Sequence, residues 1–277
     1  MLGFCFLLND IIIHMSDESA NMSTKPPSIR FENLTRKYGD FIAVDSINLD
    51  IPEGSFFGFL GPNGAGKSTT INMMIGLLKP SSGKIFVEGM DITKHPIAVK
   101  RILGVVPEDF NLYERLKGRE YLEFSGVLYG LTRREAEART EEILNLLNVD
   151  GEKYIADYSQ GLKKKVSLGA ALLHKPHILV LDEPFISVDA ISAKKIKDIL
   201  IDMIATGVTI FMTSHVLEIV ERLCTDVAII HKGKILLTGK TEELLKVPDS
   251  ESIRTLEDIF VEAVGTGLEK GELSWIK

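Results

Sequence analysis

The stretch Gly61-Pro62-Asn63-Gly64-Ala65-Gly66-Lys67-Ser68-Thr69 constrains this chain more than any other, because it fits the pattern GxxxxGK[ST] directly after the apolar run Phe56-Phe57-Gly58-Phe59-Leu60. That order predicts strand, loop and helix. Glycines let the backbone curl until successive N–H groups point inward, and a helix starting near Lys67 adds its positive dipole end to the same cavity. The cavity therefore selects an anion, the phosphates of a nucleotide. Lys67 is the candidate to reach the β- and γ-phosphates as a point charge, and the Ser68 hydroxyl is a candidate ligand of a bridging Mg²⁺. Gly61, Pro62, Asn63, Gly64, Ala65, Gly66 and Thr69 complete the cradle.

The chain has 277 residues, enough for one large α/β domain or one domain with a lobe inserted. A formal charge of −7 argues against a nucleic-acid partner held by phosphate neutralisation. Cys5 and Cys224 are too few for a disulfide framework and point to a reducing compartment. No apolar run reaches the roughly eighteen residues that span a bilayer. Residues 2–13 are apolar but broken by Asn9-Asp10, without the basic flank of a secretory signal, and residues 16–28 are polar and carry Pro26-Pro27. The apolar stretch reads as a segment upstream of a true start at Met15 or Met22, a packing arm or a weak membrane-surface anchor, and residues 1–28 are expected to be an N-terminal extension of the first kind or a disordered arm.

From Ile29 the pattern settles. Ile29, Phe31 and Leu34, a turn at Tyr38-Gly39-Asp40, then Ile42, Val44, Ile47, Leu49 and Ile51 predict an antiparallel edge. Tyr38 at its tip either packs the turn or stacks on an adenine ring. A helix is expected over residues 69–78 and a short strand over 84–88, and the apolar run 102–106 is cut off by Pro107. Residues 114–148 alternate Glu, Arg and Lys with apolar residues at helical spacing, predicting an inserted helical lobe. A helix at 162–173 follows. The βαβ rhythm then returns over 177–181, 190–205, 208–212 and 227–230, so a mainly parallel sheet is expected.

The run Ile178-Leu179-Val180-Leu181-Asp182-Glu183-Pro184 reads as a buried parallel strand ending in two carboxylates, at the end of the sheet where ligands sit. Beside a phosphate loop, Asp182 is a candidate Mg²⁺ ligand and Glu183 a candidate base for the water that attacks the γ-phosphate.

Over residues 29–230 the chain resembles the ATP-binding subunit of an ABC transporter. The resemblance rests on the segments above and on three more. Tyr158-Ser159-Gln160-Gly161-Leu162 stands where that family has its LSGGQ signature, Ser187-Val188-Asp189 where it has the D-loop, and His215 at the switch position. It implies that Tyr38 stacks on adenine, that Glu183 and His215 act in catalysis with Lys67, and that Asp189 belongs to the nucleotide site. It also implies that Ser159 and Gly161 bind the γ-phosphate held by the opposite protomer, so that ATP joins two subunits and hydrolysis parts them. Ser159 is placed as a helix N-cap ahead of an amphipathic helix, which makes a second anion site physically reasonable. The signature departs from the pattern at Gln160 and Leu162 but keeps Ser159 and Gly161.

Glu108, after Pro107, occupies the Q-loop position where the family has glutamine. It is either a Mg²⁺ ligand with an added negative charge or an ordinary exposed acid. Lys163, Lys164 and Lys165 are expected to form a solvated helix face. His14, His95, His174, His177 and His231 show no paired spacing. Residues 109–121 would, by the same resemblance, grip a cytoplasmic helix of a separate permease, with Phe110, Leu112 and Tyr113 as apolar contacts, although these could instead pack under the lobe. Expected units are an ABC ATPase domain over 29–246, with its helical lobe near 109–175, and a helical tail over 247–277.

The reading implied is an ATP-hydrolysing subunit, peripheral on the inner face of the membrane, energising an exporter. The alternative is a soluble ABC-type ATPase acting on ribosomes or nucleic acid, but such chains usually carry two modules or a long coiled-coil insertion. A nucleotide kinase would leave the ordered signature, D-loop and histidine unexplained.

Overall fold

The computed structural model describes residues 26–109, 112–246 and 254–265. Expectations for residues 1–25, for Phe110 and for most of the 247–277 tail fall outside these residues.

Two sheets form the frame. The first has four strands in the order β2-β1-β4-β5: β1 (Ile29–Tyr38), β2 (Phe41–Ile51), β4 (Ser82–Val87) and β5 (Met90–Asp91), all antiparallel. The second has six, in the order β10-β9-β3-β8-β7-β6: β3 (Phe56–Leu60), β6 (Leu103–Val106), β7 (Ile178–Asp182), β8 (Thr209–Ser214), β9 (Asp226–His231) and β10 (Lys234–Lys240). All its pairings are parallel except that of the edge strand β10. The mainly parallel sheet is thus observed, and the antiparallel edge expected over residues 29–51 belongs to the separate four-stranded sheet.

Side chains of a strand alternate between its faces, and here both faces are covered. Phe57, Phe59, Ile178, Val180, Phe211, Ala228 and Ile230 join the core shared with the antiparallel sheet and α1 (Lys67–Met74). Their neighbours Phe56, Leu60, Leu179, Leu181, Ile210, Met212, Val227 and Ile229 join a second core with the helical lobe and the C-terminal helices. This is why the strands read as unbroken apolar runs. On the first face the Phe57 and Phe211 rings stack with centroids 5.9 Å apart.

Between α1 and the lobe lies α2 (Pro96–Ile102), leading into β6. The lobe comprises α3 (Gly118–Leu128), α4 (Arg133–Leu147) and α5 (Gln160–Leu172), with a short 3₁₀ turn, Ile155–Asp157, before α5. A capping box opens α4: Glu135 N–H donates to Thr132 Oγ1 at 3.3 Å, and Thr132 N–H donates to Glu135 Oε2 at 2.9 Å. The sheet is completed by α6 (Ala190–Ala205), α7 (Leu217–Leu223), α8 (Thr241–Leu245) and α9 (Leu256–Val264).

One helix ends sooner than its pattern predicts. α1 stops at Met74 rather than at residue 78, because Gly76 turns left-handed (φ 72°) and the N–H groups of Leu77 and Leu78 both bond back to Asn72 O at 2.9 Å. Among the described residues no helix is long and apolar enough to cross a membrane.

Candidate functional site

The site sits where β3, β7 and β8 end at their carboxyl sides. β3 leads into the glycine-rich loop, and α1 begins at Lys67 with Gly66 as its N-cap (φ 111°). A Cβ on Gly66 would lie 2.6 Å from Ala43 O, and its φ is one that L side chains rarely adopt. Gly66→Ala is therefore expected to cost about 2 kcal/mol and lower the midpoint of thermal unfolding by about 4–8 °C. Calorimetry on the two proteins checks this; an unchanged midpoint would mean that the loop does not need its close approach to β2.

The loop, β7 and β8 line a cleft of about 570 Å³ with Tyr38, Asn63, Gly64, Gly66, Lys67, Ser68, Thr69, Glu108, Asp182, Glu183 and His215. Ala43, Phe41 and Ile186 line it too. Phe41 is a lining residue that the sequence pattern does not single out, although an aromatic ring on the far side of the Tyr38 turn is a visible signal. Tyr38 is 47% exposed, with the Arg36 guanidinium carbon 4.6 Å from its ring centroid.

Lys67 is buried, and its Nζ donates to Gly61 O at 2.7 Å and Pro62 O at 3.2 Å, which holds the ammonium inside the loop. Asp182, the last residue of β7, is buried and accepts a hydrogen bond from Thr213 Oγ1. Burial pushes its carboxyl above the ordinary range, and the Glu183 charge adds to this. The Thr213 bond, the Lys67 charge and a hydrogen bond from Ser68 offset part of that shift. Such a carboxylate, beside a hydroxyl and with Glu108 lining the same cleft, is a set of hard oxygen donors that suits Mg²⁺. Among the described residues no group of three or more His, Cys, Asp and Glu is arranged to hold a metal alone.

Glu183 is 5% exposed and lies in the left-handed region at φ 49°. His215 Nδ1 sits 3.0 Å from Glu183 Oε1. Thr213, which bonds both the Asp182 carboxyl and, at 3.2 Å, the Glu183 N–H, was missed from the sequence. A threonine within an apolar strand gives no signal until β7 and β8 are known to be neighbours.

Ser159, Gly161 and Asp189 are absent from the cleft lining. Ser159 caps α5, its Oγ accepting from Leu162 N–H at 3.3 Å. A Cβ on Gly161 would come 2.9 Å from Ser187 O, so the loop of residues 187–189 lies against the signature. Asp189 caps α6, and its bonds from the Ser192 hydroxyl and N–H hold its carboxyl below the usual range.

The expected solvated face of Lys163–Lys165 is not found. Lys163 is half-buried and pairs with Glu114 at 2.8 Å, Lys165 is half-buried, and Lys164 is buried with its Nζ donating to Glu183 O. Lys164 thus faces the end of β7 rather than water, while Lys163 turns to Glu114. Of the apolar residues at 109–121, Leu112 packs against the core, while Tyr113 is 60% exposed beside Tyr121 and edge-on to Phe124.

The model of the family described as "ABC transporter" matches residues 44–186. The chain belongs to that family. This ABC protein is 39% identical over 218 residues to the linearmycin resistance ATP-binding protein LnrL of Bacillus subtilis (strain 168), an alignment covering 78% of this chain and 70% of the relative. It is 36% identical over 209 residues to the bacitracin transport ATP-binding protein BcrA of Bacillus licheniformis, covering 75% and 68%. A solved structure of the ATP-binding subunit of an ABC transporter superposes with a TM-score of 0.78 at 28% identity, covering 85% of this chain and 98% of the other. The ABC protein is thus an ATP-binding, ATP-hydrolysing transporter subunit built on the P-loop NTPase fold.

Proposed function

We propose that this subunit hydrolyses MgATP at a site completed by a second ATPase subunit, and that the cycle of pairing and parting drives a separate permease that exports its substrate. The observation that carries the reading is the division of the site. Lys67, Asp182, Glu183 and His215 line one cleft, whereas Ser159, Gly161 and Asp189 lie outside it. A helix N-terminus capped by Ser159 is an anion site that wants a phosphate, and a second copy or a related subunit supplies one.

In this reading residues 29–246 act as one ATPase unit. Tyr38 stacks on adenine, and the loop amides with Lys67 hold the β- and γ-phosphates. Ser68, Asp182 and Glu108 would hold Mg²⁺, which would supply positive charge beside the phosphate oxygens. Glu183 takes a proton from the attacking water, and His215 positions that water against the γ-phosphate. Ser159 and Gly161 serve the partner's nucleotide, and Asp189 works across the same interface.

The names of the two relatives, linearmycin resistance and bacitracin transport, support outward transport. They do not favour a ribosome-bound or nucleic-acid-bound ATPase. The exposed aromatic ring of Tyr113 supports a permease contact within 109–121, and a permease contact would keep the subunit peripheral on the inner face of the membrane. Tagging the chain in its native cell and purifying in mild detergent is expected to bring down an integral membrane protein at equal stoichiometry. Recovery with ribosomes or nucleic acid instead would overturn the transport reading and leave the ATPase standing.

A further inference from the structure

Glu183 is held in a conformation that side-chain-bearing residues adopt only under constraint, φ 49°. Three contacts hold the residue, two of them on its main chain. Its N–H donates to Thr213 Oγ1 at 3.2 Å, its Oε1 lies 3.0 Å from His215 Nδ1, and its carbonyl accepts from Lys164 Nζ. Thr213 and His215 belong to β8 and the residue that follows it, whereas Lys164 reaches in from α5.

A lysine 3% exposed is costly unless its charge is compensated. Burial lowers the pKa of its ammonium, and the carboxylates of Glu183, Glu108 and Asp182 act in the opposite direction. Its ammonium therefore stands among the acids that line the cleft while bonded to the main chain of one of them. Lys164 also sits on the helix that Ser159 caps, so one rigid element links the second anion site to the carbonyl of Glu183.

We propose that Lys164 is a positioning residue for hydrolysis: it pins the backbone of Glu183 in its left-handed conformation and ties the aim of that carboxylate to helix α5. The proposal rests on the reading of Glu183 as the base. Lys164 touches neither the phosphates nor the attacking water in this scheme, so it acts on turnover rather than on nucleotide affinity.

Lys164→Met keeps an unbranched stem one atom shorter and removes the donor, and Lys164→Arg keeps a donor. In the full-length protein, Lys164→Met is expected to lower kcat about 10- to 100-fold. The KM for ATP and the affinity for a non-hydrolysable ATP analogue should stay within about threefold of the parent, and Lys164→Arg should restore much of kcat. If Lys164→Met does not fold, Lys164→Gln, whose shorter arm falls short of the Glu183 carbonyl, is read by the same criteria. Parental kcat in the donor-less variant, or an equal loss of kcat and analogue affinity, would overturn the proposal. Adding the Lys164 change to Glu183→Gln should lower the residual rate no further, because the two act as one unit. If Glu183→Gln itself turns over normally, the base assignment has failed; if it is inactive while Lys164→Met is normal, only the positioning role has.

Discussion

Glu183→Gln is expected to lower ATP hydrolysis by about 10²- to 10⁴-fold while leaving ATP binding intact. The side chain is buried, and glutamine matches glutamate in volume, so the packing around it and an oxygen facing His215 Nδ1 are retained. What is lost is basicity, because an amide cannot take a proton from water. Binding depends on other groups, the loop amides and Lys67. Since ATP would then be bound but not consumed, the paired state should accumulate. Size-exclusion chromatography with and without ATP, beside a phosphate-release assay, checks both halves of the expectation. A variant that turns over at the parental rate would remove Glu183 from the role of base.

Lys67→Ala is expected to act one step earlier, weakening ATP binding itself by about 10- to 100-fold, the equivalent of losing hydrogen bonds to one charged group. The ammonium is the positive charge held inside the loop by Gly61 O and Pro62 O. It also offsets part of the burial shift on Asp182, so its loss leaves that carboxyl poorer in compensation. Titration with a fluorescent ATP analogue, together with circular dichroism to show that the fold persists, separates a binding defect from unfolding. Unchanged affinity would count against the phosphate-loop argument as a whole. The two variants thus divide binding from chemistry at neighbouring points of one cleft.

Much of this was legible in the residues because the relevant signals are local. A glycine-rich loop after five apolar residues, a strand ending in Asp182-Glu183, and a serine ahead of an amphipathic helix each declare themselves within a short window. The left-handed Gly76 that ends α1 was equally local, but it was outweighed by the apolar residues that continue past it. Lys164 and Thr213 were not legible. Their partners lie in Asp182 and Glu183, which become neighbours only once β7 pairs with β8 and α5 is laid beside them. A lysine within such a run looks the same in sequence whether it meets water or, as Lys164 does, the main chain of a buried acid. The signature and D-loop positions were found by resemblance, and their separation from the cleft is a fact of the tertiary fold.

The alternation along the central sheet means that adjacent residues of one strand answer to different cooperative units. Val180 is held by the core beneath the antiparallel sheet, and Leu181 by the core beneath the helical lobe. Opening either side strips one face of β7 and leaves the other in place, so amide exchange along that strand is limited by whichever core opens last.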